Sequence, residues 1–492
     1  MDTYRNFIAG RWTESSSSKT VNNVNPANTY DIIGTVRQAT RAEARTAVEA
    51  AAEAFHSWRA TPAPARGKIV AKAGRLMEET KEELAQILTR EEGKTVGESR
   101  GEVQRSINVA EFCAGESRRM NGETIFSELP SNFVYTIKQP LGVVACVTPW
   151  NFPVAIPTWK IAPALVAGNT VVFKPATLTP ATAVRIVEIF EQAGVPPGVL
   201  NLILGSGSDA GDEIINHPAI KAVSFTGSNA VGIRMNEQVS RRGAKCQCEM
   251  GGKNPVVILE DADMDLTVES TAQGAFGSSG QRCTATSRAI VVNQVADEFV
   301  DRISKRAQSM RIGHGNDPQT EMGPSVDESQ FKTVLEYLNV GREDGATLVC
   351  GGERAAGNGL DKGYFVRPTV FDHVTPDMRI AREEIFGPVL GVIRVKDFEE
   401  AMQVANDTEY GLSSAIFTND AARIFRFVDE IETGMTHINS PTTGGEAHIP
   451  FGGIKGTGIG DREQGSTALD FYTELKVVYV DYTGRKREGN LY

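Results

Sequence analysis

The chain has 492 residues, more than one hydrophobic core fills, so at least two domains are expected. Hydrophobic residues at 40%, charged residues at 23%, and only 48 Gly and 22 Pro exclude disordered and low-complexity classes. A net charge of -11 implies no basic face and argues against nucleic acid as principal partner.

The N-terminus, MDTYRNFIAGRW, lacks the basic segment and apolar stretch of a signal peptide. Residues 39–58 predict a helix with Ala, Val and Phe on one face and Glu and Arg on the other. Helix is also expected over roughly 64–120. Its interleaved charges, as in EETKEELAQILTREEGKT, suggest solvated faces with i,i+4 pairs rather than a binding patch. FVYTIKQP at 133–140 alternates, and reads as a strand outside the main repeat. From 141 the pattern changes to strands LGVVACVTP, NTVVFKP, VLNLILG and IKAVSFTG, followed by helices near 157–167, 179–193, 208–216 and 229–240. That alternation means right-handed crossovers and a parallel sheet covered on both faces. A second α/β region follows, with strands at 255–260, 288–293, 367–372, 389–395, 413–418 and 435–439. The tail from 470, DFYTELKVVYVDYTG, is strand-like and can pair with 133–140 or with another chain. No apolar run approaches the ~20 residues of a membrane helix.

Parallel sheets bind ligands at the carboxyl ends of their strands. Those ends carry Thr148-Pro149-Trp150-Asn151, Lys174-Pro175, Gly205-Ser206-Gly207 and Thr226-Gly227-Ser228. The Gly205, Gly207, Gly211 spacing is not the dinucleotide GxGxxG, and it serves a plain strand-to-helix turn equally well. Beside Thr226-Gly227-Ser228 it fits a phosphate-bearing ligand lying on helix N-termini. Lys174 leaves a buried strand, from where it either reaches a ribose or phosphate oxygen or snorkels to the surface. Cys283, in the small-residue loop SSGQRCTATSR, is either an activated thiolate beside Arg282 or an inert buried thiol. Glu249, in CEMGGKNP, sits where partial burial would raise its pKa toward that of a general base. Asn151 offers an amide to an oxyanion. The six cysteines contain no CxxC pair, so no metal site is expected, and their sparse use suits a reducing cytoplasm. Cys246 and Cys248 share one strand face, as a metal or redox pair or as two small buried side chains.

Seven motifs, in order, carry a resemblance: TPWNFP (148–153), VVFKPA (171–176), FTGS (225–228), EMGGKNP (249–255), GQRC (280–283), EEIFGPV (383–389) and PFGGIKGTGIG (450–460). Together they resemble the aldehyde dehydrogenase superfamily, from FIAGRW at 7–12 to the tail. The resemblance implies that Cys283 attacks the aldehyde, Asn151 and the Cys283 N–H hold the oxyanion, and Glu249 activates water against the thioester. For NAD or NADP it implies Thr148, Pro149, Trp150, Lys174, Ala176, Thr177, Gly207, Gly211, Phe225, Gly227, Ser228, Met250, Glu384 and Phe386. Many NAD-dependent members carry Glu where Thr177 stands; a threonine does not repel a 2′-phosphate, so NADP is expected to be accepted.

The ending GGEAHIPFGGIKGTGIGDREQG is similar to that of 2,5-dioxopentanoate (α-ketoglutarate semialdehyde) dehydrogenases. Trp159 replaces the Arg that many succinate-semialdehyde enzymes use. Trp159, Phe152, Arg282 and His448 are the candidate substrate contacts. Arg282 either meets an acidic substrate or pairs within its own loop. Aromatic and hydroxy-aldehydes stay open as substrates. CoA acylation and a catalytically inactive cofactor-binding protein are the competing readings; Glu249 and the intact residue set argue against them. The implied architecture is α/β. A Rossmann-like NAD(P) domain spans 1–120 and 141–250, and a second α/β catalytic domain spans 251–440. Residues 441–469 return to the first domain. A β element at 121–140 and 470–492 would pair protomers into a homodimer or homotetramer.

Overall fold

The computed structural model describes residues 2–487; the last five residues of the expected 470–492 segment, and Met1, lie outside it. The fold is mixed α/β. Its first sheet has eight strands in the order Gly458–Ile459, Lys245–Glu249, Ile220–Thr226, Val143–Val147, Thr170–Lys174, Leu200–Leu202, Asn6–Ile8, Arg11–Thr13. The five strands from Lys245–Glu249 to Leu200–Leu202 run parallel. Their near-continuous Val, Ala, Phe and Cys content matches burial on both faces. The chain starts at Val143–Val147, grows toward Leu200–Leu202, then crosses back to Ile220–Thr226 on the other side. The order reverses between Val143–Val147 and Ile220–Thr226, and a crevice opens at the carboxyl ends of strands at such a point.

The second sheet has seven strands: Thr347–Cys350, Thr369–Asp372, Val389–Val395, Thr286–Val292, Asn254–Ile258, Ser413–Phe417 and Met435–Ile438. Separate hydrophobic cores lie on its two faces. Thr473–Asp481 pairs antiparallel with Asn132–Pro140 of the same chain, and Thr124–Phe126 completes this three-stranded sheet.

Several elements differ from expectation. The 64–120 stretch is three helices, Ala63–Glu79, Lys81–Glu92 and Val96–Glu116. Gly93 ends the second at φ 98, and a Cβ there would lie 2.7 Å from Pro324 Cγ. Its charges are not all solvated: Glu91, Glu92, Lys94 and Glu102 are buried. The expected 208–216 helix is a π-turn, Gly207–Gly211, running into the five-residue helix Asp212–Asn216. The Asp2–Tyr4, Thr20–Val24 and Ile32–Arg37 sheet, and the Thr347–Cys350 edge strand, carry too little alternation to be read from sequence.

Candidate active site

Cys283 sits in a tight turn. Ser278, Ser279 and Gly280 precede it at φ 49, 57 and 68, a left-handed run that bends the chain back. Gly280 is obligatory, since a Cβ would lie 2.2 Å from the Gly387 carbonyl. The half-buried Cys283 borders two cavities, one of about 280 Å³ and one of about 880 Å³. Desolvation and the carboxylates of Glu384 and Glu249 push its thiol up to about 12. The Arg105 guanidinium and the Thr284 N–H act in the opposite sense. Asn151 comes from the loop after Val143–Val147, and its Nδ2 donates to the Gln281 carbonyl at 3.1 Å. The Asn151 amide and the Cys283 turn are thereby tied across two sheets.

Glu249 ends the Lys245–Glu249 strand, 3% exposed, with Oε2 lacking a partner. Burial first, then Glu463, hold its pKa well above the carboxylate range, against the pull of Lys160 and Arg462. Behind it Lys160 and Glu463 form a buried ion pair. Lys160 Nζ donates to Ser224 Oγ at 2.9 Å, and Trp159 Nε1 donates to Glu463 at 2.8 Å. Gly452 lets the chain close over Glu249: a Cβ there would lie 2.5 Å from its Oε1.

The smaller cavity lies at the reversal point. Pro149, Trp150 and Asn151 line one side, Thr226, Gly227 and Ser228 the other, with Met250, Glu384 and Phe386 closing it. The Asn229–Ser240 helix begins beside it with no acid in its first turn, so its positive dipole end suits an anion. Glu384 accepts the Gly252 N–H at 3.0 Å, and burial pushes its carboxyl up to about 7. The Trp150 ring meets Phe386 edge-on, with centroids 5.4 Å apart.

Other sequence candidates stand farther off. Thr148 is buried with Oγ1 unpaired, and Phe225 lies under Gly227. Lys174 Nζ donates to the Pro175 and Gly205 carbonyls, and burial lowers its pKa to about 8. Ala176 and Thr177 line a separate crevice of about 10 Å³. Gly207 and Gly211 bound the π-turn, where Asp209 pairs with Lys19 and Asp212 and Glu213 follow. Lys19 and Arg41 face Asp209, Arg41 and Arg45 face Glu213, and Arg234 faces Asp212, so the acids of this helix start are answered by cations.

The larger cavity is bounded by Phe152, Trp159, Phe451, Arg282, His448 and Arg105. Arg282 pairs with Glu98 at 3.0 Å and donates to Ser278 Oγ, so its charge is answered within the protein. His448 is exposed at the rim. Sequence reasoning missed Arg105. Its guanidinium lies 5.1 Å from the Trp159 ring centroid and donates to Gln464 Oε1 at 3.0 Å, while Nε has no partner. Among the described residues no carboxylate hydrogen-bonds to it. Lys94, Glu98, Glu102, Lys160 and Glu463 were missed too. The one available signal is the i, i+4, i+7 spacing of Glu98, Glu102 and Arg105, which puts the three on one helix face. No group of three or more metal-ligating side chains occurs among the described residues.

The aldehyde dehydrogenase family matches residues 12–478. Alpha-ketoglutarate semialdehyde dehydrogenase of Haloferax volcanii is 45% identical over 98% of this chain and 100% of its own. The 2,5-dioxopentanoate dehydrogenase of Saccharolobus solfataricus is 44% identical over 96% of this chain and 98% of its own. Among solved structures, betaine aldehyde dehydrogenase of Staphylococcus aureus in complex with NAD+ superposes with a TM-score of 0.96 at 36% identity, covering 98% of this chain and 95% of that one. The chain belongs to the aldehyde dehydrogenase family. It is an NAD(P)-dependent oxidoreductase that converts an aldehyde to an acid.

Proposed function

We propose that this enzyme oxidises a semialdehyde bearing a distal carboxylate, with 2,5-dioxopentanoate as the leading substrate. The observation that carries this reading is Arg105, a cation without a carboxylate partner in the same cavity as Cys283. A substrate carboxylate at Arg105 would point its aldehyde toward the thiol. The relatives named above support it. Phe112, Phe152 and Trp159 line the same cavity and favour, second, an aromatic aldehyde.

Cys283 gives up its thiol proton to water as Sγ adds to the aldehyde carbon, and the carbonyl π pair becomes an oxyanion that Asn151 Nδ2 and the Cys283 N–H stabilise. A bound nicotinamide would supply the hydride acceptor for that carbon, leaving a thioester on Cys283. Pro149, Trp150, Gly227, Ser228, Glu384 and Phe386 would hold that end of the cofactor; the acid-free helix start beside Ser228 fits its pyrophosphate. Glu249 takes a proton from water, the water oxygen attacks the thioester carbon, and the C–S bond breaks to release the carboxylate and the thiol. Water rather than CoA is the acyl acceptor, because Glu249 is present.

NADP+ is accepted as well as NAD+, since Thr177 places no carboxylate near its crevice. A homo-oligomer is supported by the three-stranded sheet, where Phe126, Leu475, Tyr479 and Tyr482 are exposed; a monomeric mass by light scattering would refute it. All six cysteines are free, which supports a cytoplasmic setting. The deciding experiment is initial-rate NADP+ and NAD+ reduction with 2,5-dioxopentanoate, succinate semialdehyde, glyceraldehyde, benzaldehyde and propanal. A kcat/KM maximum for 2,5-dioxopentanoate supports the reading. A maximum for benzaldehyde or propanal replaces it with the apolar one.

A further inference from the structure

The Val96–Glu116 helix starts at a Thr95 cap closed by Glu98, and it presents Glu102 one turn later to the loop that carries Asn151. Glu102 Oε1 accepts the Val154 and Ala155 N–H groups at 2.8 and 3.1 Å, the first free donors of the Ala155–Ala167 helix. Its Oε2 accepts Lys94 Nζ at 2.7 Å. The same ammonium donates to the Asn151 carbonyl at 2.6 Å and lies 4.3 Å from the Phe152 ring centroid. Glu92 Oε2 stands 3.9 Å from it and takes the Lys94 N–H at 3.0 Å. The side chain is 1% exposed. A buried ammonium is costly unless its donors are met, and here Glu102 and the Asn151 carbonyl accept two of them, with the Glu92 carboxylate and the Phe152 ring close by. Such a cage admits few alternative positions for the groups that form it.

We propose that Lys94, held by Glu102, is a positioning residue for the oxyanion: it clamps the main chain of Asn151 and so fixes where the Asn151 amide points. The inference rests on the role given above to Asn151. Lys94 holds the main chain of Asn151 and the Gln281 carbonyl takes one amide hydrogen, which leaves the second amide hydrogen to donate to the substrate oxygen. Lys94 also borders the substrate cavity, which places its charge near the developing anion without bonding to it.

A double-mutant cycle on the full-length enzyme tests this. Lys94→Met lowers kcat by roughly 10–10²-fold, less than the ~10²–10³ expected for loss of the donor itself in Asn151→Ala. Cofactor Kd by fluorescence titration stays within about twofold, a readout that general loosening of the fold would move. In the Asn151→Ala background Lys94→Met costs less than about threefold, because there is no amide left to aim. Losses that multiply overturn the proposal. Glu102→Gln keeps an oxygen for Val154 and Ala155 and weakens the hold on Lys94; if Lys94→Met does not fold, this variant runs the same cycle with the same criteria. An unchanged kcat in Asn151→Ala alone refutes the oxyanion role, and the positioning role with it.

Discussion

On one side of Cys283 the cavity wall combines short residues at strand ends, Pro149, Gly227, Ser228 and Gly251, with Trp150, Met250, Glu384 and Phe386. On the other it is long side chains, Arg105, Phe152, Trp159 and Phe451, borne by helices and loops far apart in the sequence. A wall with a helix start and strand-end glycine in it suits a phosphate-bearing ligand common to many enzymes. A wall of side chains changes with single substitutions, so it is where one aldehyde is told from another. Cys283, Thr226 and Ile156 belong to both walls.

That contrast breaks most sharply at the shared residues. Cys283→Ser is expected to lower kcat by roughly 10⁴-fold or more with every aldehyde and with either cofactor, measured by steady-state rates. Glu249→Gln is expected to lower kcat by ~10²–10³-fold and to leave a stoichiometric burst of reduced cofactor, since only the hydrolytic half is lost. The raised pKa of Glu249 sets a sign: below it the carboxyl is protonated and cannot take a proton from water. Deacylation therefore slows as pH falls through that value, and stopped-flow traces of the native enzyme should show a growing burst toward acid that the Gln variant shows at all pH.

Smaller effects separate the two walls. Arg105→Met should raise KM for 2,5-dioxopentanoate by ~10–10²-fold, the worth of a charge-assisted hydrogen bond, and leave propanal nearly unchanged. A parallel loss for both aldehydes would make Arg105 structural. Thr177→Glu should cut kcat/KM for NADP+ about tenfold more than for NAD+, through repulsion of the 2′-phosphate. Arg282→Gln should change kcat/KM for the semialdehyde by less than about threefold, since Glu98 already answers its charge.

The same contrast explains what was legible in the sequence. The strand ends form contiguous strings such as TPWNFP and FTGS, because the residues on that wall are neighbours in the chain. The parallel sheet that orders them follows from the alternation after 141. Arg105 and Glu102 lie in a charge-rich helical stretch, and only the fold reveals that their face turns inward. Lys94 was hidden for the same reason: a short loop with acids on both sides reads as solvated until three helices close round it. Glycine spacing likewise says nothing about the charge at Asp209, which only the fold sets against Lys19 and Arg41.

The Gly452 turn over Glu249 and the Glu463 pairing with Lys160 have a consequence for biosynthesis. Glu463 lies 303 residues beyond its partner, so the pocket round the base is incomplete until almost the entire polypeptide has left the ribosome. A nascent chain can display Cys283 before the surroundings of Glu249 have formed. Contacts of such long range also slow folding. Enzymatic turnover should therefore be the last property to return on dilution from denaturant, after helical circular dichroism has recovered.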